Sequence, residues 1–299
     1  MTKKRKKILI FGLLIVLVVL VSISLYFINQ FEKILYFPPI TPEEWCENQP
    51  CIQIKFFSST LILVQPTSTF IVYLLGILTI IIGIYHLKVS RMQRFVELWG
   101  LALVLWGLGA LFAGTSYQAF SYEIKCAGRG SCIWTSWWEV MYLIFSVGSV
   151  DAMLLAQANL IKKEKYYRVI FLYSVINFLG YVLIVVIGSV VPIKILITFE
   201  LMIVFLAPTI GYFILFNLKR LRRFKQTVDL YLLLIWVFLI IIMGAYFLYF
   251  ITGITEVLWE KGIWFSENDV LHIGLIAWIL YIGFIINKVT KSNIKMISK

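Results

Sequence analysis

The stretch TFIVYLLGILTIIIGIYHL, residues 69–87, contains no Asp, Glu, Lys or Arg, and it sets the fold class of the chain. A helix needs about 20 mainly apolar residues to cross the hydrocarbon core of a bilayer. Other stretches of this kind occur along the chain, and we predict eight spans, at residues 8–30, 69–87, 95–122, 135–160, 166–191, 192–217, 228–253 and 268–287. The sequence therefore predicts an all-α, polytopic transmembrane helical bundle, an N-terminal anchor helix followed by a seven-helix core.

The composition supports a membrane environment. Hydrophobic residues make up 61% of the chain, charged residues make up 14%, and the mean hydropathy is +0.93. This balance leaves too little polar surface for a water-soluble globule. Because the apolar stretches are continuous rather than short and alternating, helices are expected instead of the strands of a β-barrel.

The formal net charge of +12 is concentrated in alternate loops. Most of the Lys and Arg residues fall in the predicted inner segments 3–7, 88–94, 162–168, 219–225 and 288–299. The other basic residues lie in predicted outer segments: Lys33, Lys55, Lys125, Arg129, Lys194 and Lys261. By the positive-inside rule, this pattern predicts a multi-pass protein of the cell membrane with both termini in the cytoplasm. Anionic inner-leaflet lipids are sufficient partners for the basic loops, so nucleic-acid binding is not expected.

Three parts of the chain are predicted: a basic tail and anchor helix (1–30), an outer loop (31–68), and the seven-helix core with a basic cytoplasmic tail (69–299). The start of the chain, MTKKRKK and an apolar run, resembles a signal peptide. The run is longer than a usual signal core, so retention as an anchor is favoured over cleavage, which would leave seven spans. In the outer loop, the alternation from Ile52 to Phe57 predicts either a small strand pair or an interfacial cap.

All four cysteines fall in predicted outer segments. Cys46 lies near Cys51 in the sequence, and Cys126 lies near Cys132. Two local disulfides are expected, since oxidising conditions usually prevail on that side of the membrane. The alternative is a four-thiolate metal site, which would require the two loops to meet and has spacings wider than the usual Cys-x-x-Cys.

Polar residues from three spans are expected at one level near the outer face. Ser116 lies near the outer end of the third span, Glu139 near the outer start of the fourth, and Asp269 and His272 near that of the eighth. In an outward-facing pocket, His272, Glu139 and Asp269 could hold one zinc or another divalent metal, or Glu139 could act as a base while Ser116 orients water. The alternative is structural. Asp269 and His272 would cap their helix and bond each other, and Glu139 would stabilise the first turn of its own helix.

Two further carboxylates are predicted deep within spans, where ionisable groups are costly and often functional. Asp151 is expected in the fourth span, in contact with Asn177, Glu200 or a hydroxyl group. Glu200 is expected in the sixth span. A proton-coupled carrier would use both of these residues.

Three stretches of the core resemble motifs of a known seven-helix superfamily. They read Gly114-Thr115-Ser116-Tyr117-Gln118-Ala119-Phe120, Trp137-Trp138-Glu139 and Asn268-Asp269-Val270-Leu271-His272. In order and position, they are similar to the site motifs of the alkaline ceramidases and the adiponectin or progestin receptors. The resemblance implies a seven-helix core around a zinc ion that activates water for lipid-amide hydrolysis.

The resemblance carries over to three residues. Ser116 matches the serine of the family's Ser-x-x-x-His pair, Glu139 stands for its aspartate, and His272 matches the second histidine of its His-x-x-x-His pair. Phe120 and Asn268 occupy the two other histidine positions. Because the whole chain contains two histidines, the three-histidine site cannot form. A metal would need a different set that includes Asp269 or Glu139, or it would be absent.

Two main classes of function follow from the sequence. The first is a ceramidase-like, metal-dependent lipid hydrolase or a decayed relative, with a lipid-like ligand in the outer pocket. The second is a non-catalytic membrane sensor or an accessory subunit of a membrane complex. Bound metal is the observation that discriminates an active hydrolase from the second class, since the hydrolase requires it.

Overall fold

The structure is a computed structural model that describes residues 36–56, 59–90, 93–161, 164–191 and 193–297, together with Ser22. The predicted anchor helix, residues 8–30, lies outside these ranges apart from Ser22. Side-chain environments in the last helix are described as far as Val289.

The described residues form helices with a small β-layer at one end. The strands are β1 (Tyr36–Phe37), β2 (Cys51–Phe56), β3 (Ser59–Val64) and β4 (Cys132–Ile133). The helices are α1 (Pro42–Trp45), α2 (Pro66–Val89), α3 (Arg94–Ala113), α4 (Ser121–Lys125), α5 (Trp137–Ala158), α6 (Glu164–Val190), α7 (Phe199–Phe224), α8 (Thr227–Ile251), α9 (Ile254–Glu260) and α10 (Glu267–Ile297). A π-helix (Gly114–Ala119) continues α3, and a 3-10 helix (Lys194–Ile197) precedes α7.

Seven helices in the described part of the chain are long and apolar enough to cross a membrane. They are α2, α3 with its π-helix, α5, α6, α7, α8 and α10. The predicted all-α, multi-pass membrane architecture is therefore confirmed in these residues. The total of eight spans stays a prediction, because it depends on residues 8–30.

The sixth predicted span, 192–217, is displaced along the chain. Helix α7 runs from Phe199 to Phe224. It begins later than predicted because Lys194–Ile197 form the 3-10 helix and Thr198 caps the start of α7. The Thr198 hydroxyl accepts a hydrogen bond from the amide of Leu201 at 3.4 Å and marks the start of the helix. Consequently Glu200 occupies the first turn of α7, where it is exposed, and the prediction of a deep position was wrong.

Close contact between backbones holds α2 against α3. A Cβ atom added at Gly83 would lie 2.8 Å from the carbonyl oxygen of Gly100, and one added at Gly107 would lie 2.7 Å from that of Gly76. Small residues at such a crossing allow two helices to pack closely in a membrane, where apolar side chains alone provide little net attraction. The contacts also show that the two helices run antiparallel.

Aromatic rings fill the centre of the bundle. The rings of Phe213 and Trp236 stack with centroids 4.1 Å apart, and those of Trp106 and Trp278 lie 5.3 Å apart. The indole nitrogen of Trp278 donates to the carbonyl oxygen of Ile235 at 2.7 Å. These contacts join α3, α7, α8 and α10.

The β-layer and both disulfides lie at one end of the bundle, which we call the disulfide end. Strands β2 and β3 form an antiparallel hairpin, and β1 pairs with β4. The predicted disulfides Cys46–Cys51 and Cys126–Cys132 are both formed, so the four-thiolate alternative was wrong. The opposite end, which holds the α7–α8 connection, is called the basic end.

Candidate functional site

Glu139 forms a buried ion pair at the disulfide end. It lies in the first turn of α5 and is 3% exposed, and its Oε1 atom lies 2.6 Å from Nζ of Lys125. The Lys125 side chain is 12% exposed. A buried carboxylate is costly unless it is paired and hydrogen-bonded, and Lys125 supplies the opposite charge.

Three hydroxyl groups complete the surroundings of Glu139. Ser116 donates to Oε1 at 2.9 Å, and Thr135 donates to Oε2 at 2.8 Å. The hydroxyls of Ser116 and Ser136 lie 2.6 Å apart. Because Ser116 has one hydroxyl proton and gives it to Glu139, Ser136 is the donor in that contact. We call Ser116, Lys125, Thr135, Ser136 and Glu139 the carboxylate cluster.

Local backbone structure brings these side chains together. Ser116 lies in the π-helix, whose end is closed by a hydrogen bond of 3.0 Å from the amide of Phe120 to the carbonyl of Thr115. π-helices are rare in proteins, and those that occur often lie at functional sites. At its start, Gly114 packs so closely on Val72 that a Cβ atom would collide with it.

The β-layer fixes the position of Lys125. Glu123, two residues earlier on α4, accepts a hydrogen bond of 3.0 Å from the amide of Ile62 in β3. Tyr122 packs against Trp45 with ring centroids 5.9 Å apart. Burial raises the pKa of Tyr122, and the nearby carboxylates of Glu123 and Glu43 raise it further, so the phenol remains neutral. The disulfide Cys126–Cys132 then closes the loop that leads to Thr135.

Tyr117 provides an accessible aromatic surface beside the carboxylate cluster. It is 45% exposed, although its neighbours Ser116 and Gln118 are buried. Its ring centroid lies 6.1 Å from that of Tyr142 and 5.2 Å from the ammonium of Lys125. Lys125 thus contacts both a carboxylate and the face of an aromatic ring.

Asp269 belongs to a second polar group at the same end. Its Oδ2 atom accepts from the amide of Ser266 at 2.6 Å and from the Ser266 hydroxyl at 3.1 Å. The hydroxyl of Ser68, at the start of α2, lies 3.1 Å from that of Ser266. Asp269 therefore caps the start of α10 by accepting hydrogen bonds from Ser266, the residue that precedes the helix, as the structural alternative predicted.

His272 takes no part in that cap. Its Nδ1 atom and the Oδ1 atom of Asp269 are both buried, and neither has a hydrogen-bond partner among the described residues. The expected hydrogen bond between His272 and Asp269 is therefore not formed.

The predicted metal ligands do not assemble. Within the described ranges, no group of three or more His, Cys, Asp and Glu side chains could hold a metal ion. Glu139 is engaged by Lys125 and hydroxyl groups, whereas Asp269 is turned back toward Ser266. The residues present do not fit the three-ligand zinc site proposed for Glu139, Asp269 and His272.

Asp151 is buried within α5. Its carboxylate oxygens accept from the side-chain amide of Asn177 on α6 at 3.2 and 3.0 Å. Glu200 is exposed in the first turn of α7, so the two carboxylates do not form the pair of deep groups that a proton-coupled carrier would use.

Sequence reasoning missed Lys125, Thr135 and Ser136 as parts of the site. Lys125 had one detectable signal, since it is a basic residue in a predicted outer segment that is otherwise poor in them. Its partner was not detectable, because the pair is formed across a loop whose path depends on the disulfide.

Fold and site together define a membrane protein with seven described spanning helices and a paired carboxylate at the disulfide end. Comparison of the chain with protein-family models, curated proteins and solved structures gave no match. The function is therefore argued from the residues alone.

Proposed function

We propose that this chain is a non-catalytic membrane sensor, which binds a lipid-like molecule beside the carboxylate cluster. The observation that carries the proposal is that both carboxylate oxygens of Glu139 are engaged. A general base must reach the proton that it removes, yet both oxygens of Glu139 already accept from Lys125, Ser116 or Thr135. The cluster is suited to holding a fixed shape rather than to proton transfer.

The same geometry supports a decayed relationship to the ceramidase-like superfamily. Ser116 and Glu139, which match two family positions, are joined by a hydrogen bond of 2.9 Å. His272 matches the third position but has no bond to either of them. In this proposal, the ammonium of Lys125 supplies the positive charge that zinc supplies in the family.

Tyr117 is the proposed contact for the ligand. An exposed ring next to buried polar groups offers an amphipathic molecule both an apolar surface and a polar end. Gln118 Oε1 and Ser121 Oγ are buried near Tyr117 in the sequence, and neither has a hydrogen-bond partner in the described residues. Buried polar atoms are usually paired, so these atoms are proposed as contacts for the polar end of the ligand.

Metal content of the purified protein tests the non-catalytic proposal. Elemental mass spectrometry should find well below one transition metal ion per chain, even after zinc is supplied. About one zinc per chain, lost in both Glu139→Gln and His272→Ala, would contradict the proposal and restore the hydrolase.

Co-purified lipids test the ligand contact. Mass spectrometry of lipids retained after detergent purification should show a species that is depleted in Tyr117→Ala. Tyr85→Ala is the matched control, because Tyr85 is 49% exposed and lies at the basic end of α2. Equal retention in the two variants would rule out binding at Tyr117.

A further inference from the structure

The connection between α7 and α8 carries the densest exposed charge in the described residues. Helix α7 ends at Phe224 and α8 begins at Thr227, so two residues join the two spans. Four cations lie exposed on or next to this turn: Lys219, Arg222, Arg223 and Lys225. We call these four residues the basic turn.

The nearby acid does not neutralise the basic turn. Asp229 is 1% exposed, and its Oδ1 atom accepts from Nε of Arg220 at 2.7 Å. Within the described ranges, none of the four exposed cations forms an ion pair. Arg220 therefore anchors the turn to α8, and the other four charges remain directed at the surroundings.

An aromatic side chain accompanies these charges. Phe224 is 54% exposed at the last position of α7. The guanidinium carbon of Arg223 lies 5.3 Å from its ring centroid, and that of Arg220 lies 5.9 Å away. Phe224 is the last residue of one candidate membrane-spanning helix, and the next such helix begins at Thr227, which places the basic turn at the bilayer surface.

We infer that the basic turn binds the headgroup phosphates of anionic lipids in the leaflet at the basic end. Arginine guanidinium groups match the geometry of phosphate oxygens, and clusters of Lys and Arg next to a span are attracted to anionic lipid. The charge complementarity and the position of Phe224 favour a lipid headgroup over a soluble polyanion. This inference concerns the opposite end from the proposed ligand contact and does not depend on it.

Native mass spectrometry of the full chain in detergent tests the inference. The probes are phosphatidylglycerol and phosphatidylcholine at equal concentration. The wild type should prefer phosphatidylglycerol by about tenfold, and the triple variant Arg222→Gln, Arg223→Gln, Lys225→Gln should lose most of this preference. The matched control, Lys55→Gln, Lys194→Gln, Lys261→Gln, removes the same charge from exposed lysines at the disulfide end and should keep it.

Other outcomes would overturn the inference. An unchanged preference in the basic-turn variant, or an equal loss in the control, would mean that the site lies elsewhere or that net charge alone acts. Displacement of phosphatidylglycerol by millimolar inorganic phosphate would show a phosphate-ion site instead. A second measurement needs no variant: raising the salt concentration should weaken the preference of the wild type, because salt screens exposed charges.

Discussion

In the described residues, each end of the bundle contains an ion pair whose carboxylate is buried, and the two pairs differ in what surrounds them. Lys125 and Glu139 at the disulfide end, like Arg220 and Asp229 at the basic end, lie within 2.7 Å of each other. Glu139 has hydroxyl donors on both of its oxygens. Asp229, in contrast, keeps its Oδ2 atom buried without a partner in the described residues. The Lys125–Glu139 pair is the centre of a hydrogen-bonded network, whereas the Arg220–Asp229 pair fixes a turn whose charges face outward.

The pairs also differ in how the chain brings them together. Arg220 and Asp229 are nine positions apart and lie on either side of a short helix-to-helix turn. Lys125 and Glu139 are separated by a loop that the disulfide Cys126–Cys132 closes. The geometry of the Lys125–Glu139 pair should therefore depend on the disulfide, and that of the Arg220–Asp229 pair should not.

Breaking the pair at the disulfide end should have the largest effect. Lys125→Met leaves Glu139 buried without a counter-charge, which should reduce the free energy of unfolding by about 3–5 kcal/mol. Thermal unfolding in detergent measures this change. Lys194→Met is the control, because Lys194 is exposed at the same end and contacts only the ring of Trp134 among the interactions described. Equal unfolding temperatures for the two variants would mean that the carboxylate cluster is not a stabilising network.

Breaking the pair at the basic end should have a smaller effect. The Arg220 side chain is 25% exposed, so water reaches the pair and offsets part of the loss when Arg220 is removed. We expect Arg220→Met to reduce the free energy of unfolding by about 2–3 kcal/mol. Arg222→Met is the control at the same turn and should be close to neutral. A loss for Arg220→Met that exceeds the loss for Lys125→Met would reverse the proposed ranking of the two ends.

Removing the disulfide Cys126–Cys132 should change the effect of substituting Lys125 but not the effect of substituting Arg220. Cys126→Ser together with Cys132→Ser opens a short loop, which should cost about 2 kcal/mol. In this background Lys125→Met should cost less than in the wild type, whereas the effect of Arg220→Met should be unchanged. Unfolding of the two backgrounds, each alone, with Lys125→Met and with Arg220→Met, measures both differences. Full additivity of the Lys125 and disulfide substitutions would contradict the dependence of the pair on the loop.

The smallest effect is expected at the edge of the carboxylate cluster. Ser136→Ala removes the donor to Ser116 but leaves every direct contact of Glu139 in place. A loss of about 1 kcal/mol is expected, smaller than that of Ser116→Ala, which removes a donor to the carboxylate itself. The free energies of unfolding of the two single variants show which loss is larger. A larger loss for Ser136→Ala than for Ser116→Ala would show that the network is not centred on Glu139.

The sequence predicted those features that depend on hydropathy alone or on a short distance along the chain. Long apolar runs predicted the seven described spanning helices, and cysteines close in sequence predicted both disulfides. The cap at Asp269 was also predictable, since it is formed within one helical turn. These features depend on local composition or on short sequence distance.

The errors arose where tertiary structure decided the result. The apolar residues of the 3-10 helix Lys194–Ile197 look like membrane sequence, so the start of α7 was placed too early and Glu200 too deep. Glu139 was grouped with Asp269 and His272 because depth in the membrane was the available guide. Depth does not define which way a side chain faces, and the π-helix and α4 instead bring Ser116 and Lys125 to Glu139.

A double-mutant cycle between Lys125 and Glu139 tests the central claim most directly. The free energy of unfolding is measured in detergent for the wild type, Lys125→Met, Glu139→Gln and the double variant. If the two residues are a structural ion pair, the double variant should recover stability relative to Lys125→Met, with a coupling of about 2 kcal/mol or more. Additive losses, together with bound zinc that disappears in Glu139→Gln, would contradict the claim and identify Glu139 as a metal ligand.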